Sequence, residues 1–319
     1  MTFQKLSANS PMNPDVAIII LNRNQTAYTR DCLVSLAAID YSTYRTVVVD
    51  NDSTDDSLHE MARDFPTVNF IFLKKNAGVA GGRNAGLRDV LPDCPEFVLF
   101  LDNDTLVAPD FLSRLVEKMQ SDSRIGAIQP KIYFSNPPDQ ICSVGGRYYP
   151  RISHFRHPAS GQNDGARFQR AVEIDTVMGC AGLMRSRVFQ EVGLLDETFS
   201  PYGPEDVDWS LRLRDAGYRL VMEPTAKVWH RVSSPSQANL EKTKHLASGY
   251  ALFLRIHTRW WDFPLSIAWV VFHLTRRFLL PVMVRGEWSL ATATFQGIRE
   301  GLRRKRHPIE FVPSPPTCR

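Results

Sequence analysis

The sequence predicts an α/β protein, a mostly parallel sheet with helices on both faces, followed by a C-terminal helical appendage. Through residue 132, short β-branched and apolar runs alternate with segments of helical spacing. Those runs are continuous rather than every-other-residue, as expected of strands buried on both faces. Beyond about residue 235 the alternation gives way to long apolar and basic stretches. The chain therefore divides into a sheet domain over 1–235 and a helical segment over 236–319.

Each element has its own warrant. VAIIIL (16–21) reads as the first strand, and TAYTRDCLVSLAAI (26–39) follows with helical spacing. RTVVVDND (45–52) is the second strand; Ser53 and Asp55 supply N-cap chemistry for a helix over 53–65. VNFIFLKK (68–75) is the third, and NAGVAGGRNAG (76–86) a glycine-rich turn entering a helix. FVLFLDND (97–104), a helix over 108–120 and a strand over 125–132 complete the series. Residues 133–175 break into Pro, Gly, Asn and aromatic residues, an insertion with hairpin content; regular structure resumes over 177–193.

Composition narrows the partners. At 319 residues, 43% hydrophobic and 23% charged, the chain is ordinary for a globular protein. Its formal charge of +4 is slight, and no nucleic-acid partner is expected. Five scattered cysteines without a CxxC pair suggest reduced thiols in a cytoplasmic compartment, not a disulfide frame or zinc site. No apolar core interrupts residues 1–15, so no secretory signal is expected.

Three strands deliver polar clusters to one edge: Asn22, Arg23 and Asn24; Asp50, Asn51 and Asp52; Asp102, Asn103 and Asp104. Asp and Asn favour turns and caps, which explains any one cluster. Three together concentrate negative charge at the edge where open α/β sheets bind ligands. A divalent cation would relieve it, and hard oxygen donors suit Mg²⁺ or Mn²⁺ shared with a substrate diphosphate. GVAGGRNAG (78–86) has neither dinucleotide nor P-loop spacing. That leaves a nucleoside-diphosphate donor, with Arg83 either a cation near its phosphates or a solvated residue of the first helical turn.

In GPEDVDWSLRLRDAG (203–217), Trp209, Leu213, Ala216 and Leu220 share a stripe flanked by Glu205 and Asp206. Asp208, Arg212 and Asp215 take the opposite, solvated side. Acids after a proline are an ordinary helix start; beside a buried stripe they would also face a cleft. His230, after a short apolar stretch, reads either as a structural hydrogen-bonder or as a ligand.

Taken in order, VAIIILNRNQ, VVVDNDSTDDS, NAGVAGGRNAG, LFLDNDT, GCAGLMRSRVFQEVGLLDETF and GPEDVDWSLRLRDAGYRL resemble the family-2 inverting glycosyltransferases of GT-A (Rossmann-like) fold. The resemblance is to their rhamnosyltransferase-like branch in particular and spans roughly residues 15–235. It implies that Asp102 and Asp104 are the DxD carboxylates, Asp104 on the metal and Asp102 on the ribose or metal. His230 would be a further metal or diphosphate ligand. Asp50, Asn51 and Asp52 would contact base and ribose, Asn22 and Arg23 would line the base pocket, and Asn76, Gly78, Arg83 and Asn103 would complete the nucleotide-sugar site. Asp206 would be the general base, with Glu205 and Trp209 at the acceptor. Asp50-Asn51-Asp52-Ser53 stands where many relatives carry Asp-Asp-Gly-Ser, which leaves uracil versus thymine open.

The implied reaction moves a single sugar, rhamnose in this branch, from a dTDP- or UDP-linked donor to a hydroxyl of a lipid-linked or cell-surface saccharide, with Mn²⁺ or Mg²⁺. A catalytically silent nucleotide-sugar-binding scaffold and a nucleotidyltransferase are the alternatives. LNRNQT (21–26), not being glycine-rich, weakens the latter.

FPLSIAWVVFHLTRRFLLPVMV (263–284) is long enough for a membrane span, yet His273, Arg276 and Arg277 interrupt it. A charge at the bilayer centre costs about 2.5–3.5 kcal/mol on insertion scales. An amphipathic helix lying in the plane of an anionic membrane surface, followed by RRKRH (303–307), is expected instead. That would make the protein peripheral on the cytoplasmic face of the cell membrane. A helix packed on the core or on a second subunit of a homo-oligomer is the alternative. Ile256 replaces the first residue of the QxxRW motif before Arg259-Trp260, against chain polymerisation.

Overall fold

The computed structural model describes residues 13–231, 240–274 and 288–313. Four parallel strands open the chain: β1 (Val16–Asn22), β2 (Tyr44–Asp50), β3 (Asn69–Phe72) and β4 (Phe97–Asp102), in spatial order β3-β2-β1-β4. Between them run α1 (Thr26–Ala37), α2 (Ser57–Ala62) and α3 (Gly78–Val90). Strand alternation sorts the apolar residues by face. Ile18, Ile20, Val48, Leu99 and Leu101 join one core, while Ala17, Ile19, Val47, Val49, Val98 and Phe100 join the other. Continuous apolar strands between two helical layers are therefore what the chain forms.

The second half of the sheet is mixed in direction. β5 (Thr105–Val107) and α4 (Phe111–Gln120) precede β6 (Ile125–Phe134). The insertion supplies β7 (Ile141–Ser143), the hairpin β8 (Arg147–Tyr149) and β9 (His154–Arg156), and β10 (Val172–Ile174). β11 (Ala181–Arg185) runs antiparallel between β4 and β6, and after α5 (Val188–Val192) and α6 (Glu205–Asp215) the long β12 (Arg219–His230) lies parallel to β6. The glycine-rich stretch is itself helical: α3 starts at Gly78 (φ +72°), where a Cβ would lie 2.7 Å from the Ser200 Cβ. The helix expected from Ser53 starts only at Ser57, because the Ser53 hydroxyl is bound to Asp50.

Among the described residues three helices follow: α7 (Leu240–His257), α8 (Phe263–Leu274) and α9 (Trp288–Arg303). α7 and α9 pack so closely that a Cβ at Gly297 or Gly301 would run into the Lys244 or Ser248 carbonyl. On its other side α7 lays Leu252 and Phe253 against Phe199, Val207 and Leu211, covering α6. This corrects the expectation for Asp208. It is fully buried, accepting from Arg212 Nε (2.9 Å), His257 Nε2 (2.8 Å) and Arg306 Nη2 (3.4 Å). Those partners hold its carboxyl below the usual carboxylate range, although burial opposes this.

The basic run is partly engaged. Arg304 donates to the carbonyls of Thr198 and Ser200 (both 2.9 Å), and Arg306 to Asp196 (2.7 Å), so these two arginines fasten the segment after α9 to the sheet domain. Within 263–284 the described part is α8. Its Ser266 is buried, donating to the Arg151 carbonyl, while Phe263, Leu265, Ile267 and Phe272 are exposed. Arg276 and Arg277 lie outside the described residues. Among the described residues no helix is long and apolar enough to cross a membrane. Cys32, Cys142 and Cys180 are buried free thiols, and Cys318 lies outside the described residues.

Asp208→Asn should lower stability by about 3 kcal/mol at neutral pH, because it leaves two guanidinium groups and the His257 ring facing a neutral amide. The sign follows from the depressed pKa. The stabilisation is complete above an ordinary Asp pKa of about 4 and is lost as pH falls through the lower native value. Urea denaturation at pH 7 and pH 3 should show the variant and the parent converging at the acid end.

Candidate functional site

Parallel pairing brings the polar strand ends level: Asn22 is opposite Asp50, and Leu21 opposite Asp102. Asn22 Nδ2 donates to Asp50 Oδ1 (3.0 Å), and Asn22 Oδ1 accepts from Asn103 Nδ2 (3.1 Å) and the Thr29 hydroxyl (2.8 Å). Asn103 therefore points into the α1 side. Its neighbours Asp102 and Asp104, two residues apart, are left to the other side.

β12 completes this group. His230 pairs with Thr105 across the β5–β12 ladder, and Arg231 N donates to the Asp104 carbonyl (2.8 Å). The His230 Nε2 thereby comes within 3.1 Å of Asp104 Oδ1. Ligand atoms of Asp102, Asp104 and His230 all lie within 4.8 Å of one another. Two carboxylate oxygens and one imidazole nitrogen suit a divalent cation whose remaining positions are filled by water or a diphosphate.

Arg83 is not the solvated residue of a first helical turn: it is buried over the Phe100 ring (5.4 Å to the centroid). Its Nη2 donates to Asp102 Oδ1 and to the Gly179 carbonyl (both 2.7 Å), and its Nη1 lies 3.9 Å from Glu205 Oε1. Burial opposes its charge, but the carboxylates of Asp102, Glu205 and Asp206 raise its pKa further. Burial raises the Asp102 carboxyl above its ordinary value, partly offset by Arg83.

α6 brings the acceptor-side acids to the same place. Glu205 is buried and its pKa is pushed up to about 8 by burial and then by the adjacent Asp206 carboxylate, against the pull of Arg83. Asp206 is partly exposed, with Oδ2 accepting from Gly179 N and Oδ1 from its neighbour Val207 N (both 2.8 Å). Gly179 thus serves Asp206 with its N–H and Arg83 with its carbonyl. A Cβ there would lie 2.6 Å from Arg83 Nη1. Sequence reasoning missed Gly179, since it acts through its backbone and only the small-residue run GCAG hints at it.

The other predicted residues fall into distinct positions. Asn51 is buried, donating to the Gly78 carbonyl (3.0 Å) and accepting from Ala77 N (2.8 Å), and so braces the start of α3. Asp50 accepts from Asn22 and Ser53. Arg23 and Asn76 are exposed, Asn76 accepting from Gly78 N (2.9 Å), and Asp52 is partly exposed at φ +65°. Trp209 requires a correction. It is 2% exposed, stacked on Phe189 and donating to the Gly193 carbonyl (3.2 Å), because its helix turns that face to the core. Its indole is not available to an acceptor.

Comparison with known proteins agrees with this fold. The chain is 38% identical over 129 residues to an N-acetylglucosaminyltransferase of Mesorhizobium japonicum, covering 39% of this chain and only 30% of that protein. To the dTDP-rhamnosyl transferase RfbF of Shigella flexneri it is 25% identical over 227 residues, 70% of this chain and 72% of the relative. In fold it is similar to the mannosyltransferase PcManGT from Pyrobaculum calidifontis, solved with GDP-Man and Mn²⁺: TM-score 0.56, 15% identity, covering 96% of this chain and 92% of the other. The family model for Glycosyl transferase family 2 matches residues 15–193, and with the GT-A fold around Asp102, Asp104 and His230, the chain belongs to that family.

Proposed function

We propose that this protein transfers one sugar, rhamnose, with inversion from a dTDP- or UDP-linked donor to a hydroxyl of a lipid-linked or cell-surface saccharide. The observation that carries the reading is the bridge from Asp102 through Arg83 to Glu205. It sets the acidic start of α6 beside the group that would hold the diphosphate. The likeness to a dTDP-rhamnosyl transferase over most of both chains supports the choice of donor.

Asp206 accepts the proton of the acceptor hydroxyl as that oxygen attacks the anomeric carbon from the side opposite the diphosphate. Its two backbone N–H donors fix the carboxylate's orientation. Glu205, buried beside it at the start of α6, positions the acceptor. Asp102, Asp104 and His230 would hold Mn²⁺ or Mg²⁺, which when bound supplies positive charge against the departing diphosphate. Residues 1–235 carry this chemistry, and 236–319 place the protein on the cytoplasmic face of the membrane. The exposed Trp260 (82%) and Trp261 beside the apolar face of α8 support that placement.

Asp104→Ala should abolish metal-dependent donor binding in calorimetry while circular dichroism stays that of the parent. Full activity in excess chelator would refute the metal assignment. Asp206→Asn should cut kcat by at least about 100-fold with the donor KM unchanged. Glu205→Gln should act mainly on acceptor placement, raising the acceptor KM and leaving kcat within about threefold at pH 7. Normal turnover by Asp206→Asn would move the base elsewhere.

A further inference from the structure

α9 has two unlike faces. Ala293, Thr294, Gly297 and Gly301 are buried, the two glycines against α7, so this face is taken. On the other, Trp288 and Phe295 (both 66% exposed) and Leu302 recur every seven residues and form one outward stripe. Arg299 and Arg303 stand on the same stripe, exposed and without an ion pair among the described residues. Beside them a groove of about 520 Å³ is lined by Lys244, Gln296, Arg299, Glu300, Arg303 and Arg304. Its one carboxylate, Glu300, is shared by Lys244 (3.0 Å) and Arg304 (2.9 Å). Four cations around one anion leave the groove with a surplus of positive charge.

We propose that this groove binds the phosphate of an anionic phospholipid, with Trp288, Phe295 and Leu302 entering the headgroup–acyl boundary beside it. The assignment rests on the membrane-surface reading above and makes it specific. It extends the contact from the start of the basic run, Arg303 and Arg304, back along the outer face of α9 to Arg299, while Arg306 is engaged with Asp196. Charge complementarity selects an anion, and the apolar stripe selects a lipid-borne one. A free phosphate in the groove would leave two aromatic rings and a leucine in water.

The test is sedimentation of the full chain with phosphatidylglycerol/phosphatidylcholine vesicles, against vesicles of phosphatidylcholine alone. The parent should partition to the anionic vesicles, less so at high salt. The Arg299→Gln/Arg303→Gln variant should bind them roughly 30-fold more weakly, each arginine near such a surface being worth about a factor of five. Phe295→Ser should weaken binding several-fold, and both variants should transfer sugar to a soluble acceptor at the parental rate. If the arginine variant sediments like the parent, this site is wrong while the broader membrane reading stands. If the parent itself stays in solution, both fail. Displacement from vesicles by millimolar inorganic phosphate, with no effect of Phe295→Ser, would overturn the lipid in favour of a free anion. Self-association of the parent in light scattering, lost in Phe295→Ser, would overturn it in favour of a second copy of the chain.

Discussion

Arg83 sits where the carboxylates of two distant segments meet, Asp102 at the end of β4 and Glu205 at the start of α6. Three acids, Asp102, Glu205 and Asp206, would repel one another in a partly buried site, and a guanidinium is suited to them because it stays charged where a lysine could lose its proton. Much else follows from that placement. The helix α3 must begin early enough to aim Arg83 inward, which requires Gly78 in its left-handed conformation and Asn51 bound across the turn. Gly179 must lack a side chain for the guanidinium to reach its carbonyl. With Arg83 holding one oxygen of Asp102, the rest of that carboxyl group and Asp104 remain beside His230.

The parallel half of the fold and the carboxylate platform were legible because both are local in sequence. Buried strands announce themselves by uninterrupted apolar runs, and Asp102, Asn103 and Asp104 lie at the end of one such strand and in the turn after it. Trp209 was legible as core from the helical stripe; the resemblance alone pointed it at an acceptor. Asp208 could not be read locally. The groups that cover it, His257 and Arg306, lie 49 and 98 residues away, and no local pattern reports such partners. Gly179 was invisible for another reason, since its chemistry is backbone chemistry that any residue carries.

The ion cluster around Asp208 also alters the meaning of the C-terminal helices. Asp208 is two residues from Asp206 on one helix, so α7 and the segment after α9 fasten the same helix that carries the proposed base. What reads in sequence as an appendage is a brace for α6. Buried ionic contacts of this kind contribute less net stability than their number suggests, but they fix a single arrangement because few others satisfy every charge.

The antiparallel β11, wedged between β4 and β6, has a consequence for how the protein is assembled. The four parallel strands use residues 16–102, so their pairings close early along the chain. The remaining sheet cannot be completed in chain order, because β4 must wait for Ala181–Arg185 and β5 for Val228–His230. Pairings of such long sequence separation are entropically expensive and slow. The triad of Asp102, Asp104 and His230 therefore spans the earliest and the latest parts of the sheet to form. The third ligand joins the two carboxylates only when the last strand, β12, is laid down.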